Sequence, residues 1–181
     1  FPDIVINRNT TWSQDRYLSE SVIIKPGGSL SIDPGVNVYI KNDADYSKKK
    51  GISFLVLGSL FVLGTIDKPV YIGPRLNSNN KSYWLGIKLE STQTNSDINF
   101  LTISNAYNGL DVRSSVNISN SQIRLSGNHG VYVKSASSDS VLFQNIKIDK
   151  CDNVSFFIER GNVELNWVDI NNGNSVGLVN N

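Results

Sequence analysis

The chain has no methionine, one cysteine and one histidine among its 181 residues. The single cysteine, Cys151, excludes an internal disulfide and a cysteine-based metal cluster; it reads as a small buried apolar residue. The missing methionine, initiator included, leads us to expect a processed product or an excised piece of a longer parent, with no signal peptide left to read. Net charge is +1, so no global field recruits nucleic acid or an acidic membrane. No apolar run approaches the roughly 20 residues of a membrane helix, so no membrane insertion by this chain is expected. Threonine is scarce, with six residues out of register, which excludes a flat ice-binding rank. Helical periodicity is poor throughout, and no G-x-G-x-x-G, P-loop or catalytic-triad spacing occurs.

What is present is alternation at period two, interrupted by corner residues. The stretch FLVLGSLFVLGTIDKPVYIGP (54–74) is apolar at nearly every second position, broken by Gly58 and Gly64 and closed by Pro69. With 39% hydrophobic and 18% charged residues, the chain can bury the core of one domain. Asparagine is abundant, at 23 residues, and the four N-x-[ST] sites at Asn9, Asn80, Asn117 and Asn153 are what that composition produces by chance.

The alternation repeats. GIKL (86–89), GLDV (109–112), GVYV (130–133), SFFI (155–158) and GL (177–178) start 23, 21, 25 and 22 residues apart. A second unit keeps pace between them: INFLTI (98–103), ISNSQI (118–123), FQNIKI (143–148) and LNWVDI (165–170). In the first half, GSLSIDPGVNVYI (28–40) parallels GSLFVLGTIDKPVYI (58–72), matching Leu30 to Leu60 and Val38-Tyr39-Ile40 to Val70-Tyr71-Ile72, with the polar KNDADYSKKK (41–50) inserted. Short strands separated by Gly, Asn and Asp corners suit a chain that bends after each strand and stacks each lap on the last at about 4.8 Å. Inward residues then form apolar ladders, Leu30 on Leu60, and Ile87, Leu110, Val131 and Phe156 in line. A β-sandwich would show hairpin turns and no fixed period.

These features resemble right-handed parallel β-helices of the pectin-lyase-like type, found in bacterial secreted and surface proteins and in animal bark beetle-type proteins. The resemblance covers about residues 22–178. It rests on IIKPGGSLSIDPGVNVYI (23–40), LVLGSLFVLGTIDKPVYI (55–72) and the W-x-G-I segment of WLGIKL (84–89). It implies an all-β solenoid of about seven coils of roughly 22 residues, right-handed as such crossovers are, in a single domain over 1–181. Residues 1–21, with Trp12, Tyr17 and Leu18, are expected to lie outside the repeat and cap its open end, leaving 22–181 as coils. Neighbouring domains of a longer parent, and an extracellular or cell-surface location, are expected. The superfamily hosts lyases, hydrolases, tailspikes and adhesins, so fold alone does not choose a function.

Outward residues are therefore the candidates. One column is Lys88, Asp111, Tyr132 and Phe157; the next is Glu90, Arg113, Lys134 and Glu159. As a solvated face these are charge ladders of opposite-sign neighbours. As a functional face they form a shallow groove in which Lys88, Asp111, Tyr132, Phe157 and Glu159 bind a glycan or a surface protein. Catalysis by a polysaccharide lyase or glycoside hydrolase would fall to Glu90, Asp111, Arg113 and Lys134. A hydrolase needs two carboxyl groups across one bond. The positions just before the repeat strands are Tyr107-Asn108, Asn128-His129, Asp152-Asn153 and Asn174-Ser175, of which only Asp152 is acidic. GNHG (127–130) lacks the aspartates of a family G-H-G, and His129 reads as a corner residue. No metal site and no cofactor is expected; calcium would need clustered carboxylates, and Asp43 and Asp45 in the inserted loop are the nearest to that. That loop, with Lys48-Lys49-Lys50, reads as solvated. The expected function is a non-catalytic, adhesion-type carbohydrate- or protein-binding domain, with the enzyme and a structural spacer as alternatives.

Overall fold

A computed structural model of the chain describes residues 2–41, 51–76, 78–91, 95–171 and 176–178; the Asp43/Asp45 pair, the lysine run 48–50 and the Asn174-Ser175 corner fall outside them. The described residues form nineteen strands and no helix, hence no helix long and apolar enough to cross a membrane. Eight strands make the A sheet: β1 (Ile4–Ile6), β4 (Val22–Ile24), β7 (Ser53–Val56), β10 (Gly86–Leu89), β13 (Leu110–Val112), β15 (Val131–Lys134), β17 (Phe156–Arg160) and β19 (Val176–Leu178), each hydrogen-bonded to the next in that order. All of its pairs are parallel.

The second sheet is two parallel ladders that merge. One runs β2 (Asn9–Trp12), β5 (Ser29–Ile32), β8 (Ser59–Leu63), β11 (Ser96–Asn99); the other runs β3 (Arg16–Leu18), β6 (Asn37–Ile40), β9 (Val70–Gly73), β12 (Leu101–Ser104). They join at β14 (Val116–Arg124), whose first half pairs with β11 and whose second half pairs with β12. β16 (Val141–Asp149) and β18 (Val163–Asn171) stack on β14 in turn. The chain thus visits the A sheet, then each ladder of the second sheet, then the A sheet again one strand further on.

Alternation decides which side chains fill the interior. β5, β6 and β7 each bury every second residue, as a strand with one face on a core must. Register lines these residues up: Val22, Phe54, Ile87, Leu110, Val131 and Phe156 follow one another across the A sheet, and all are buried. Ile32, Val62, Ile98, Ile118 and Phe143 form a facing column, also buried. Burying each such side chain contributes about 1.5–3 kcal/mol. Phe54 sits between Trp12 and Trp84 in edge-to-face contacts at 6.1 and 6.2 Å, and the Trp84 indole Nε1 donates to the Ser104 carbonyl at 2.9 Å, so its one polar atom is satisfied inside.

The bends repeat as strictly as the strands. Phe100, Asn120, Asn145 and Trp167 all have φ between 49° and 66°, and Asn105, Leu125 and Lys150 have φ between 57° and 60°. These are aligned left-handed positions, one set at the fold in β14, β16 and β18 and one at their ends. Asparagine tolerates that conformation, and here it also bonds along the stack. Asn145 Nδ2 donates to Asn120 Oδ1 at 2.9 Å and Asn120 Nδ2 to Asn99 Oδ1 at 3.0 Å. A second series runs from Asn153 to Asn128 to Asn108, each step 2.9 Å.

Two expectations are corrected. The segment before Val22 does not stand outside the repeat: β1, β2 and β3 pair in register with β4, β5 and β6, and Trp12 extends the column of Ile32 and Val62. Its spacing is tighter than that of later passes, with Ile4 only 18 residues before its partner Val22, which hid the match. Leu30 does pair with Leu60, but Val38 pairs with Ile72 and Tyr39 with Gly73, two residues away from the sequence match. A two-residue slip keeps every side chain on its own face, so alternation cannot tell the registers apart.

Glycine is required where passes approach most closely. A Cβ on Gly58 would stand 2.2 Å from the Gly28 carbonyl oxygen and 2.5 Å from that of Lys25. Gly58→Ala is expected to lower stability by about 1–3 kcal/mol, read as a reduced urea midpoint. Trp167 holds a left-handed φ of 66° with its ring 79% exposed. Replacing it with asparagine continues the series from Asn145 and should raise the midpoint by about 1 kcal/mol; an unchanged or lower midpoint would show that the ring is held by contacts worth more than the strain.

Candidate functional site

The outward residues of the A sheet are brought together by the register that stacks the core. Lys88 lies beside Asp111, Asp111 beside Tyr132, and Tyr132 beside Phe157, as the repeat predicts. Leu55 precedes Lys88 in the same column. A cleft of about 650 Å³ opens over this face, lined by Leu55, Lys88, Glu90, Tyr107, Asp111 and Arg113 among others.

The second predicted column breaks at its end. A bulge between Val133 and Lys134 puts Arg160, not Glu159, opposite Lys134. Glu159 nevertheless reaches back: its Oε1 lies 2.5 Å from Lys134 Nζ, and its other oxygen accepts the Tyr132 hydroxyl. The bulge advances β17 by one residue, so Glu159 meets both groups from the side.

Each predicted carboxylate is engaged. Arg113 grips Asp111 within its own strand, Nε to Oδ1 at 2.9 Å and Nη2 to Oδ2 at 3.1 Å; two residues apart on an extended chain, they share a face, and the guanidinium fork matches both oxygens. Asp111 raises the pKa of Arg113 chiefly through these hydrogen bonds. Lys88 and Glu90 pair at 2.7 Å. Asp152, the one acidic residue before a repeat strand, pairs with Lys81. Among the described residues, no three His, Cys, Asp or Glu side chains converge as a metal site would need. Cys151 is buried, and burial pushes its thiol up, away from the thiolate that reactivity needs.

His129 is the residue that sequence reasoning undervalued. It occupies a corner, but its ring stacks on Tyr132 at 5.5 Å and 23° and on Phe157 at 5.8 Å and 14°, while Tyr132 and Phe157 stack on each other at 5.8 Å and 21°. Arg113 caps the group, 5.9 Å from the Tyr132 ring centre. Burial lowers the His129 pKa, outweighing the Val154 carbonyl and Asp111, which act to raise it; the imidazole is therefore neutral at pH 7. The sequence signal for this cluster was only that a ring-bearing corner precedes a GVYV strand by one residue.

Tyr132 and Glu159 titrate against each other. Burial, the hydrogen bond to Glu159 and its charge push the Tyr132 phenol up to about 12. The hydrogen bonds from Lys134 and then Tyr132 hold Glu159 below its ordinary 4.5. The Tyr132 contribution to stability is complete below pH 10, the unfolded value, and is lost as pH rises towards 12. The Glu159 contribution is present above pH 4.5 and is lost as pH falls through its lowered pKa. In an ultraviolet titration of phenolate formation, Tyr132→Phe should remove a component titrating near pH 12; removal of one titrating near 10 would break the link to Glu159.

Compared with known proteins, the chain matches no family model, no curated protein and no solved structure.

Proposed function

We propose that the outer face of the A sheet is a non-catalytic binding surface for an elongated glycan, carried by a right-handed parallel β-helix of the pectin-lyase-like type in an extracellular or cell-surface protein. The β-helical reading is supported by the strand order. Each pass of the chain adds one parallel strand to the A sheet and one to each ladder of the second sheet, and bends recur at aligned left-handed positions.

The observation that carries the binding reading is the ring cluster of Tyr132, His129 and Phe157. It lies beside a cleft whose walls alternate in charge, from Lys88 and Glu90 to Asp111 and Arg113. Neutral rings present apolar faces on which the C–H face of a sugar packs, and the flanking charged groups hydrogen-bond its hydroxyls; ligand clefts combine these two elements. The cleft runs across strands, so a ligand along it meets a new set of side chains about every 4.8 Å. Such a surface takes a chain-like partner better than a compact one.

The absence of catalysis is argued from the carboxylates. A general acid needs a raised pKa, whereas Glu159 is shifted downward. A nucleophile or base must reach substrate, whereas Asp111 is held at both oxygens by Arg113. The reading needs no cofactor.

The test is a panel of neutral and uronate polysaccharides, followed for binding by calorimetry and for turnover by reducing ends and unsaturated product, with and without calcium. Saturable binding that weakens at least tenfold in Tyr132→Ala, without turnover, is expected. Sustained turnover abolished by Asp111→Ala would establish the enzyme instead, and inertness in every assay would leave a structural spacer.

A further inference from the structure

We propose a second ligand site on the β3–β6–β9 side of the molecule, selective for an acidic sugar, that is, a carboxylated or sulfated pyranose. It is independent of the reading of the A face. A cleft of about 440 Å³ opens there, lined by Tyr17, Tyr39, Lys41, Arg75 and Leu76 among others, which suits one or two sugar rings.

The site is built from the backbone upward. Tyr17 and Tyr39 are register partners on adjacent strands, and their rings lie 5.1 Å apart at 35°. The next residue in that column is Gly73, which leaves a gap. The Tyr71 ring leans into it: a Cβ on Gly73 would stand 2.7 Å from the Tyr71 hydroxyl and 2.9 Å from the Ser104 carbonyl oxygen. So placed, Tyr71 lies 6.3 Å from Tyr39, and its hydroxyl donates to the Pro74 carbonyl at 2.9 Å. Burial raises the Tyr71 pKa, which keeps that proton in place. The bond anchors the chain just before Arg75, whose guanidinium lies 5.6 Å from the centre of the Tyr17 ring.

The result is a tyrosine platform, open at Tyr17 (63% exposed) and bordered by Leu76 (79% exposed), with two cations at its rim. No carboxylate lines the cleft, and among the described residues Arg75 and Lys41 pair with none. An anion is therefore attracted by both cations, and Arg75 offers a planar fork for carboxylate or sulfate oxygens beside a ring face for the sugar. The A-face cleft differs on this point, because there each cation already holds a carboxylate.

The test is calorimetric titration of the chain with an oligogalacturonate, a heparin-derived oligosaccharide and a neutral cello-oligosaccharide. At least one acidic ligand should bind saturably, at least tenfold tighter than the neutral one, and should weaken as salt rises; which acidic ligand binds identifies carboxylate or sulfate. Arg75→Ala and Tyr17→Ala should each weaken binding tenfold or more, and Arg75→Lys less. Tyr132→Ala should leave this binding unchanged, which separates the site from the A face. Circular-dichroism melts check that the variants fold, as exposed Tyr17 and Arg75 should permit. No binding of either acidic ligand, equal binding of the neutral one, or full affinity in folded Arg75→Ala overturns the proposal.

Discussion

The structure depends on one constraint: apolar side chains of successive parallel strands must stand directly over one another. A strand of three to five residues buries two or three side chains, which cannot offset the conformational entropy of ordering it. Stacked in register, the column from Val22 through Phe54, Ile87, Leu110 and Val131 to Phe156 shares its burial among neighbours above and below. Each strand is worth keeping only because the next is there. The same alignment satisfies the backbone, since every N–H and C=O between two passes finds its partner in the neighbouring strand.

Register has to be enforced at the bends, because slips of two residues preserve the apolar face. The asparagine series do this. Their amides bond from pass to pass, so a slip on one side would break hydrogen bonds at the corner as well as mismatching the core. Close approaches at glycine act similarly: Gly58 and Gly28 meet where any side chain would collide. Corner chemistry thus supplies the specificity that the apolar columns lack.

An in-register stack also organises the exterior. Outward residues of neighbouring passes become neighbours in space although they lie 20 or more residues apart, and the pairing of Lys88 with Asp111 and of Tyr132 with Phe157 follows from that. Surface columns can therefore be all rings, all charges or mixtures. On the A sheet, rings and ion pairs adjoin. On the β3–β6–β9 side, tyrosines adjoin cations that hold no carboxylate among the described residues. The two faces differ in electrostatics while sharing one scaffold.

Alternation at period two, the spacing of the later passes and the column from Ile87 to Phe156 were determined by the sequence alone, because period and face are properties of the local chain. So was the membership of the column from Lys88 to Phe157. Only the tertiary structure decided the rest. Val38 chose Ile72 because the lengths of intervening chain, not the apolar pattern, set the offset between passes. The segment before Val22 became three strands because its short apolar triplets find partners already aligned. Glu159 reached Lys134 and Tyr132 through a bulge, and His129 entered the ring cluster from a corner. Tyr17, Tyr39 and Arg75 met across three passes. Each of these depends on where separate stretches of backbone come to rest against one another, and residue spacing within any one stretch carries no record of that.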